Sequence, residues 1–525
     1  MSRSIADRWR RAQAYLARME PAPARAQLEA MRVQDGADVR TRLLESRIAW
    51  RDDAVRAATR AALEAFAVVP DDAALLCDTI ESLLQVGEVV AARDCLARPA
   101  LAGAATPAVL MRLADFTQRL NQHDESLAWL ECAVAAGADD PDTRFHHGSQ
   151  LYFHGRMVEA EAVLDGCLAE WPDHGRVAYT RAYLDAPASG PDHFAQLDAG
   201  LARVARGSPD HAALEFTRYK AFENLGRFAE AWDALAAGNA VMRARLRFDA
   251  TARIRFLDRL IGTCTAERLR VPATVPTEPG PQPIFIVGMP RSGSTLLDRM
   301  IANHSAVRSA GELVDFGTQL QWCVDTRNDL RDDYPGRLAM LDFRELGRRY
   351  LAQTRWRAGG GRFFIDKQPP NWMVAGLIHA ALPAARIIHL VREPMDLCFS
   401  SWRTFFGDAY GYSYDLATLA AWHRAHMRVM AHWDRAMPGA ILHVAYTDLV
   451  RDTEATLRTV FDYCGLPWEP GCADPQRNTT PVVTPGVAQL RGPVHARAAG
   501  AWRGYAAQLG TLQTALSDHE NPFRN

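Results

Sequence analysis

Lysine is almost missing from this chain: Lys220 and Lys367 are its only two, against 58 arginines (60 basic residues minus 2). Where a generic cation suffices the chain uses arginine, so a lysine marks a candidate site that needs a compact, rotatable ammonium. Long apolar runs are missing as well. No stretch approaches 18 uninterrupted apolar residues, so no membrane span is expected. The nine cysteines, scattered from Cys77 to Cys472, form neither C-x-x-C pairs nor a disulfide framework, which fits a reducing compartment. Met1 to Met19 is arginine-rich and lacks the apolar core of a signal peptide. Net charge is also lacking: at -2 it gives no sign of a nucleic-acid or membrane surface, and any basic site must be local. A cytoplasmic protein is the expectation.

A chain of 525 residues is too long for one core and implies two or three domains. The amino-terminal half carries a period. Asp53, Gly87, Asn121 and Gly155 follow one another at steps of 34 residues, and Gly190 and Gly226 continue at 35 and 36. A helical pattern follows each turn, as in Gly155 to Leu164 and Gly226 to Leu235, and another precedes it, as in Phe145 to Tyr152 and Phe216 to Leu225. Pro-Asp pairs at 70–71, 141–142 and 172–173 are expected to close the units. Five prolines between Val271 and Pro283 then forbid a regular helix. The expected division is helical repeats over 1–270, a linker over 271–283 and a second domain over 284–525.

That second domain opens on Ile284-Phe285-Ile286-Val287, a buried strand, followed by Gly288-Met289-Pro290-Arg291-Ser292-Gly293-Ser294-Thr295. The two glycines let successive amides converge, and the helix that follows adds its positive end, which makes a phosphate nest. The spacing is that of G-x-x-x-x-G-K-[ST] with the lysine replaced by Ser294. Ordinary ATP hydrolysis is therefore disfavoured, and Arg291 offers a planar fork of donors instead.

Downstream, strands at Phe363–Ile365, Arg386–Arg392 and Ala440–Ala445 alternate with helices, so the sheet should be mostly parallel with its ligands at the strands' carboxyl ends. Three of those ends are polar: the Gly288 loop, Asp366-Lys367 and Arg392. Arg392 and Ser400, eight residues on, can present a cation and a hydroxyl to a second phosphate. His423 and His426, in the run Trp422-His423-Arg424-Ala425-His426, read as helix-face residues rather than catalytic ones.

The 34-residue helix-turn-helix period resembles the tetratricopeptide repeat, over most of Ala22 to Arg255. Such a resemblance implies a groove for a protein or peptide partner. From about Pro283 to Leu509 the chain resembles the sulfotransferase superfamily, in particular its tyrosylprotein-sulfotransferase-like branch. Pro290 to Thr295 resembles the loop for the 5′-phosphosulfate of 3′-phosphoadenylyl sulfate (PAPS), so the resemblance assigns Arg291, Ser292, Gly293, Ser294 and Thr295 to that co-substrate. Arg392 and Ser400 resemble the 3′-phosphate site. Gly311-Glu312 matches the position of a catalytic carboxylate, Asp366-Lys367 that of a catalytic lysine, and Tyr446 that of a nucleotide-contacting tyrosine. Gln489 and Arg491 resemble the closing loop. Tetratricopeptide arrays fused to such domains are familiar among bacterial members. The fold so implied is an all-α tetratricopeptide-like array followed by an α/β P-loop-like sulfotransferase domain.

The expected enzyme is a PAPS-dependent sulfotransferase without a metal requirement, moving a sulfuryl group to a hydroxyl of a peptide tyrosine, a carbohydrate or a small molecule. Glu312 would be the general base, with Lys367 and Arg291 stabilising charge on the transferring group and the leaving phosphate. The chain departs from the family pattern at three places. Gly486 stands where a serine is usual, with Thr484 nearby; Ala501 replaces a basic residue, leaving Arg503 or Arg497 to serve. Asp315 stands where the branch keeps a basic residue that holds acidic peptides, which argues against an acidic tyrosine peptide. The competing readings are a non-catalytic repeat protein with a degenerate nucleotide-binding domain and a P-loop metabolite kinase.

Overall fold

The computed structural model describes residues 4–103, 106–184, 191–270, 279–481 and 500–517. They fall into two compact units, one of residues 1–138 with 314–356 and one of residues 139–313 with 357–525.

The first unit is built from helix pairs: Val39–Arg51 with Val55–Val68, Ala73–Val86 with Val89–Leu96, and Pro107–Arg119 with His123–Ala135. Each pair turns at a position that the period marks. Asp53, Gly87 and Asn121 hold φ of 63°, 79° and 58°, the left-handed conformation that Gly, Asn and Asp enter at least cost. Leu43, Leu44, Leu76, Ile80, Leu83 and Phe116 are buried between the pairs. Residues 314–356 add the helices Asp315–Val324, Tyr334–Ala339 and Phe343–Thr354. These dock on the repeat turns. Asp53 accepts hydrogen bonds from the Thr326 hydroxyl and from the Arg327 amide, the latter at 2.7 Å. Arg349 and Gln353 donate to the two oxygens of Glu88 at 2.6 and 2.9 Å, and Gln319 donates to the Gly87 carbonyl at 2.9 Å. A Cβ on Gly87 would lie 2.5 Å from Thr318 Cγ2.

In the second unit the pairing continues, with Pro141–His154 against Met157–Glu170 and Pro209–Asn224 against Phe228–Leu246. Gly155 and Gly226 make the turns, at φ of 77° and 70°; Gly190 lies outside the described residues. The Pro-Asp pair at 141–142 opens a helix rather than closing a unit. Pro141 needs no amide partner in a first turn, and Asp140 before it accepts from the amides of Asp142 and Thr143, both at 3.0 Å.

The sheet of this unit has five parallel strands: β1 Gln282–Val287, β2 Val307–Ser309, β3 Phe363–Asp366, β4 Arg386–Val391 and β5 Ile441–Ala445, in the order β2-β3-β1-β4-β5. β1, β3 and β4 are buried along nearly their whole length, as their continuous apolar runs require. β2 has only three residues, two of them Arg308 and Ser309, so no apolar pattern announces it. After β1 the chain crosses to β2 and β3 on one side, then returns to β4 on the other. That reversal opens a crevice at the carboxyl ends of β3, β1 and β4. Residues 271–278 of the proline-rich stretch lie outside the described residues.

Candidate functional site

Between β1 and the Ser294–Ile301 helix the backbone follows a path that few residues allow. Gly288 has φ of 149°, and a Cβ there would sit 2.9 Å from the Leu390 carbonyl oxygen of β4. Gly293 has φ of 104°, and its Cβ would meet the Tyr446 ring at 2.4 Å. Arg291 between them takes a left-handed φ of 69° without being glycine, a conformation held only where the surroundings over-determine it. The surroundings are visible. The Pro369 carbonyl accepts from the Gly288 amide at 3.2 Å, and the Ser401 hydroxyl donates to the Pro290 carbonyl at 3.3 Å. Arg392 donates through Nη1 to the Arg291 carbonyl at 2.8 Å. Ser292 and Ser294 are buried, and the Ser292 hydroxyl has no hydrogen-bond partner among the described residues.

The residues expected to hold a second phosphate meet the loop. Arg291 Nε donates to Ser400 Oγ at 3.3 Å, and the Arg392 guanidinium lies 4.9 Å from the centre of the Tyr446 ring. Burial, joined by the charges of Arg403 and Arg392, holds the Arg291 guanidinium below its ordinary pKa. Burial does the same to Arg392. Two guanidiniums are thus gathered where solvation is poor, an arrangement that a bound anion would relieve. Thr295 is half-buried in the first turn of the helix.

At the end of β3, next to β1, the second of the two lysines sits at the crevice. Lys367 is buried, and its Nζ donates to Glu312 Oε1 at 2.5 Å, while its amide donates to the Gly311 carbonyl at 2.9 Å. Glu312 is the more open partner, its side chain 38% exposed. Residues 55 apart in sequence are therefore one pair in space. The first lysine, Lys220, has a plainer setting: it lies 3.5 Å from Glu223 one helical turn away.

Some neighbours of the site carried no signal in the sequence. Asp298, on the loop's own helix, is buried and accepts from Ser309 at 3.0 Å; burial raises its pKa against the pull of Lys367. Tyr179 and Tyr183 come from the repeat helix Gly175–Ala182 and the residue after it. Burial raises the pKa of both, and the Arg291 charge works against that rise. Tyr410, near Glu312, is raised by burial and by that carboxylate. A repeat tyrosine looks like core in sequence, and only the fold brings it beside Arg291.

Other expected residues fall elsewhere. Gln489, Arg491, Thr484, Gly486 and Arg497 lie outside the described residues. Arg503 is exposed, its guanidinium 5.5 Å from the Trp502 ring. Asp315 is buried in the first unit and offers no exposed charge to an acceptor. His423 and His426 are on a helix face, as expected, but a buried one. His426 Nε2 lies 3.0 Å from His389 Nε2 on β4; His389 Nδ1 lies 2.9 Å from His443 Nδ1 on β5, and His443 Nε2 is 2.9 Å from Asp434. Among the described residues no group of three or more His, Cys, Asp or Glu is placed to hold a metal ion, and no helix is long and apolar enough to cross a membrane.

The Sulfotransferase family model matches residues 283–470. An uncharacterized protein of Aquifex aeolicus (strain VF5) is 27% identical over 310 residues, covering 57% of this chain and 40% of that protein. Nodulation protein NoeE of Sinorhizobium fredii (strain NBRC 101917 / NGR234) is 29% identical over 136 residues, covering 23% of this chain and 31% of that one. The chain thus spans less than half the length of these curated relatives. Among solved structures, the sulfotransferase domain of the Synechococcus PCC 7002 olefin synthase matches with a TM-score of 0.33 and 24% identity, over 47% of this chain and 98% of that one. A tetratricopeptide repeat protein from Parabacteroides merdae ATCC 43184 matches with a TM-score of 0.32 and 12% identity, over 45% and 93%.

Proposed function

Given a sulfotransferase-family domain over residues 283–470, we propose that this chain transfers a sulfuryl group from PAPS to an acceptor hydroxyl. The observation that carries the proposal is the convergence of Arg291, Arg392, Ser400 and Tyr446 around the Gly288–Gly293 loop, with the Lys367–Glu312 pair at the end of the neighbouring strand. The site's chemistry fits such a co-substrate. Arg392 and Lys367 are buried, the buried Ser292 hydroxyl has no partner among the described residues, and the two glycines let the loop pass close to β4 and the Tyr446 ring. PAPS would supply an electrophilic sulfur and a bisphosphate leaving group.

The chain's own residues divide the work. The loop from Ser292 to Thr295, with the start of its helix, holds the 5′ phosphate. Arg392 and Ser400 hold the 3′ phosphate, and Tyr446 borders the nucleotide. Arg291 and Lys367 counter the negative charge that grows on the leaving phosphate as its bond to sulfur breaks. Glu312 takes the proton of the acceptor hydroxyl as that oxygen bonds to sulfur. Lys367 donates to Glu312 Oε1, which orients the carboxylate for that transfer. A transferring sulfuryl group carries less charge than a phosphoryl group, so cationic side chains and amides suffice without a metal. The helical repeats, up to residue 270, recruit a protein or peptide partner or present the acceptor. The protein works in the cytoplasm. Acceptors of three kinds remain in view: peptide tyrosine, carbohydrate and small-molecule hydroxyls.

The test is transfer of labelled sulfate from PAPS to a panel of those three acceptor types by the full chain, without added metal. Transfer that falls by about a hundredfold or more in Glu312→Gln and in Lys367→Ala is expected for a general base and its charge partner. No transfer from PAPS, with consumption of ATP and Mg²⁺ instead, would contradict the proposal and favour a kinase.

A further inference from the structure

The Pro394–Trp402 helix follows Arg392 and carries Ser400 in its last turn. Its first turn is secured locally, where Glu393 accepts from the Asp396 amide at 2.8 Å. Its last turn is closed in part locally, the Thr404 hydroxyl donating to the Ser400 carbonyl at 2.8 Å, and is held further from the repeats. Asn239, 2% exposed, donates to the Trp402 carbonyl at 3.2 Å. Arg403, directly after the helix, donates to Glu223 at 3.1 Å, and Glu223 also accepts from the Tyr219 hydroxyl at 2.5 Å. Phe405 donates its amide to the Tyr179 hydroxyl at 3.1 Å, and the Trp402 ring lies 4.7 Å from that of Trp232. Every one of these long-range partners belongs to the repeat helices Gly175–Ala182, Pro209–Asn224 and Phe228–Leu246.

The last turn of a helix has carbonyls without intrahelical partners, and it frays first when nothing outside satisfies them. Ser400 sits in that turn of a nine-residue helix, and its hydroxyl in turn receives Arg291 Nε. We propose that Tyr179, Glu223 and Asn239 of the repeat array are positioning residues for the 3′-phosphate site, acting through the end of this helix on Ser400 and Arg291. The later repeats are then a part of the nucleotide site and not only a recruiting module. This inference rests on the PAPS reading of the loop.

The test compares two nucleotides that differ at one place, adenosine 3′,5′-bisphosphate and adenosine 5′-phosphate, binding to the full chain by calorimetry. Tyr179→Phe removes one hydroxyl and leaves the ring packing, so it guards against a Glu223→Gln protein that fails to fold. A positioning role predicts that Glu223→Gln weakens the bisphosphate about tenfold and Tyr179→Phe about threefold, with the 5′-phosphate moving less than about twofold. A merely structural role weakens both nucleotides alike, and that result, or an unchanged preference in both variants, would overturn this inference alone. Wild-type protein that binds no bisphosphate would remove the PAPS reading and this inference with it.

Discussion

The early and the later repeats share one period and put it to different uses. In the first unit the turn edge is occupied: Asp53, Gly87 and Glu88 bind residues 314–356. In the second unit the turn at Gly226 has open space where a Cβ would stand, and the helices instead supply Tyr179, Glu223 and Asn239 to the end of the Pro394–Trp402 helix. A repeat period therefore fixes where the chain turns, but not which surface is committed or to what. That choice lies in a few polar residues that interrupt the apolar pattern.

Disrupting the first unit's occupied edge should give the largest effect. Glu88 and Arg349 form a pair whose side chains are 9% and 13% exposed. Glu88→Ala leaves the guanidinium buried without its carboxylate, so urea unfolding of the first unit should lose about 3–5 kcal/mol.

Acid should separate the units next. His389 and His426 in the second unit are buried and neutral, with pKa values pushed well below 6.5, first by burial and then by neighbouring histidines. His389 faces His426 and His443, and His443 faces Asp434. The unfolded chain binds more protons than the folded one once pH drops below about 6.5, so this contribution is whole above that pH and lost beneath it. The slope is about 1.4 kcal/mol per pH unit for each histidine, or about 2.7 for the two. Unfolding followed between pH 7.5 and 5.5 should show the second unit weakening in this way, and His389→Leu with His426→Leu should flatten the slope.

The paired glycines sharpen the contrast further. Gly87→Ala meets both a left-handed backbone and the Thr318 methyl group, and should cost about 2–3 kcal/mol, whereas Gly226→Ala meets the backbone penalty alone, about 1 kcal/mol. Thermal unfolding of the two variants measures the difference. Equal losses would mean that residues 314–356 do not press on Gly87.

The caps should come close to the smaller of these two effects. Asp140 accepts from two amides and from the Thr143 hydroxyl, Asp72 from the Leu75 amide. Asp140→Ala should cost about 1.5 kcal/mol and Asp72→Ala about 0.5–1 kcal/mol by denaturant unfolding.

Much of this architecture was legible in the chain. The turn residues at 53, 87, 121, 155 and 226 all take positive φ, because only a few residue types enter that conformation cheaply and the period repeats them. β1, β3 and β4 were legible because strands buried on both faces read as continuous apolar runs. Lys367 stands out in the chain through rarity and Glu312 through resemblance to a family, but nothing in the chain announces that the two side chains pair. What the chain hid were contacts between distant segments of ordinary composition. β2 is three residues with no apolar run. Asp298 looks like a polar residue of a helix, and Tyr179 and Glu223 look like repeat packing. His426 looked like a helix-face residue, and it proved to be one end of a buried chain of imidazoles, since nothing in its neighbourhood names His389 as the partner.

The most direct measurement is calorimetric titration of the full chain with adenosine 3′,5′-bisphosphate, beside ATP with Mg²⁺. The account predicts one bisphosphate per chain, preferred over ATP, with binding weakened by about a hundredfold or more in Arg392→Ala. Absence of bisphosphate binding, or binding that Arg392→Ala leaves unchanged, would contradict it.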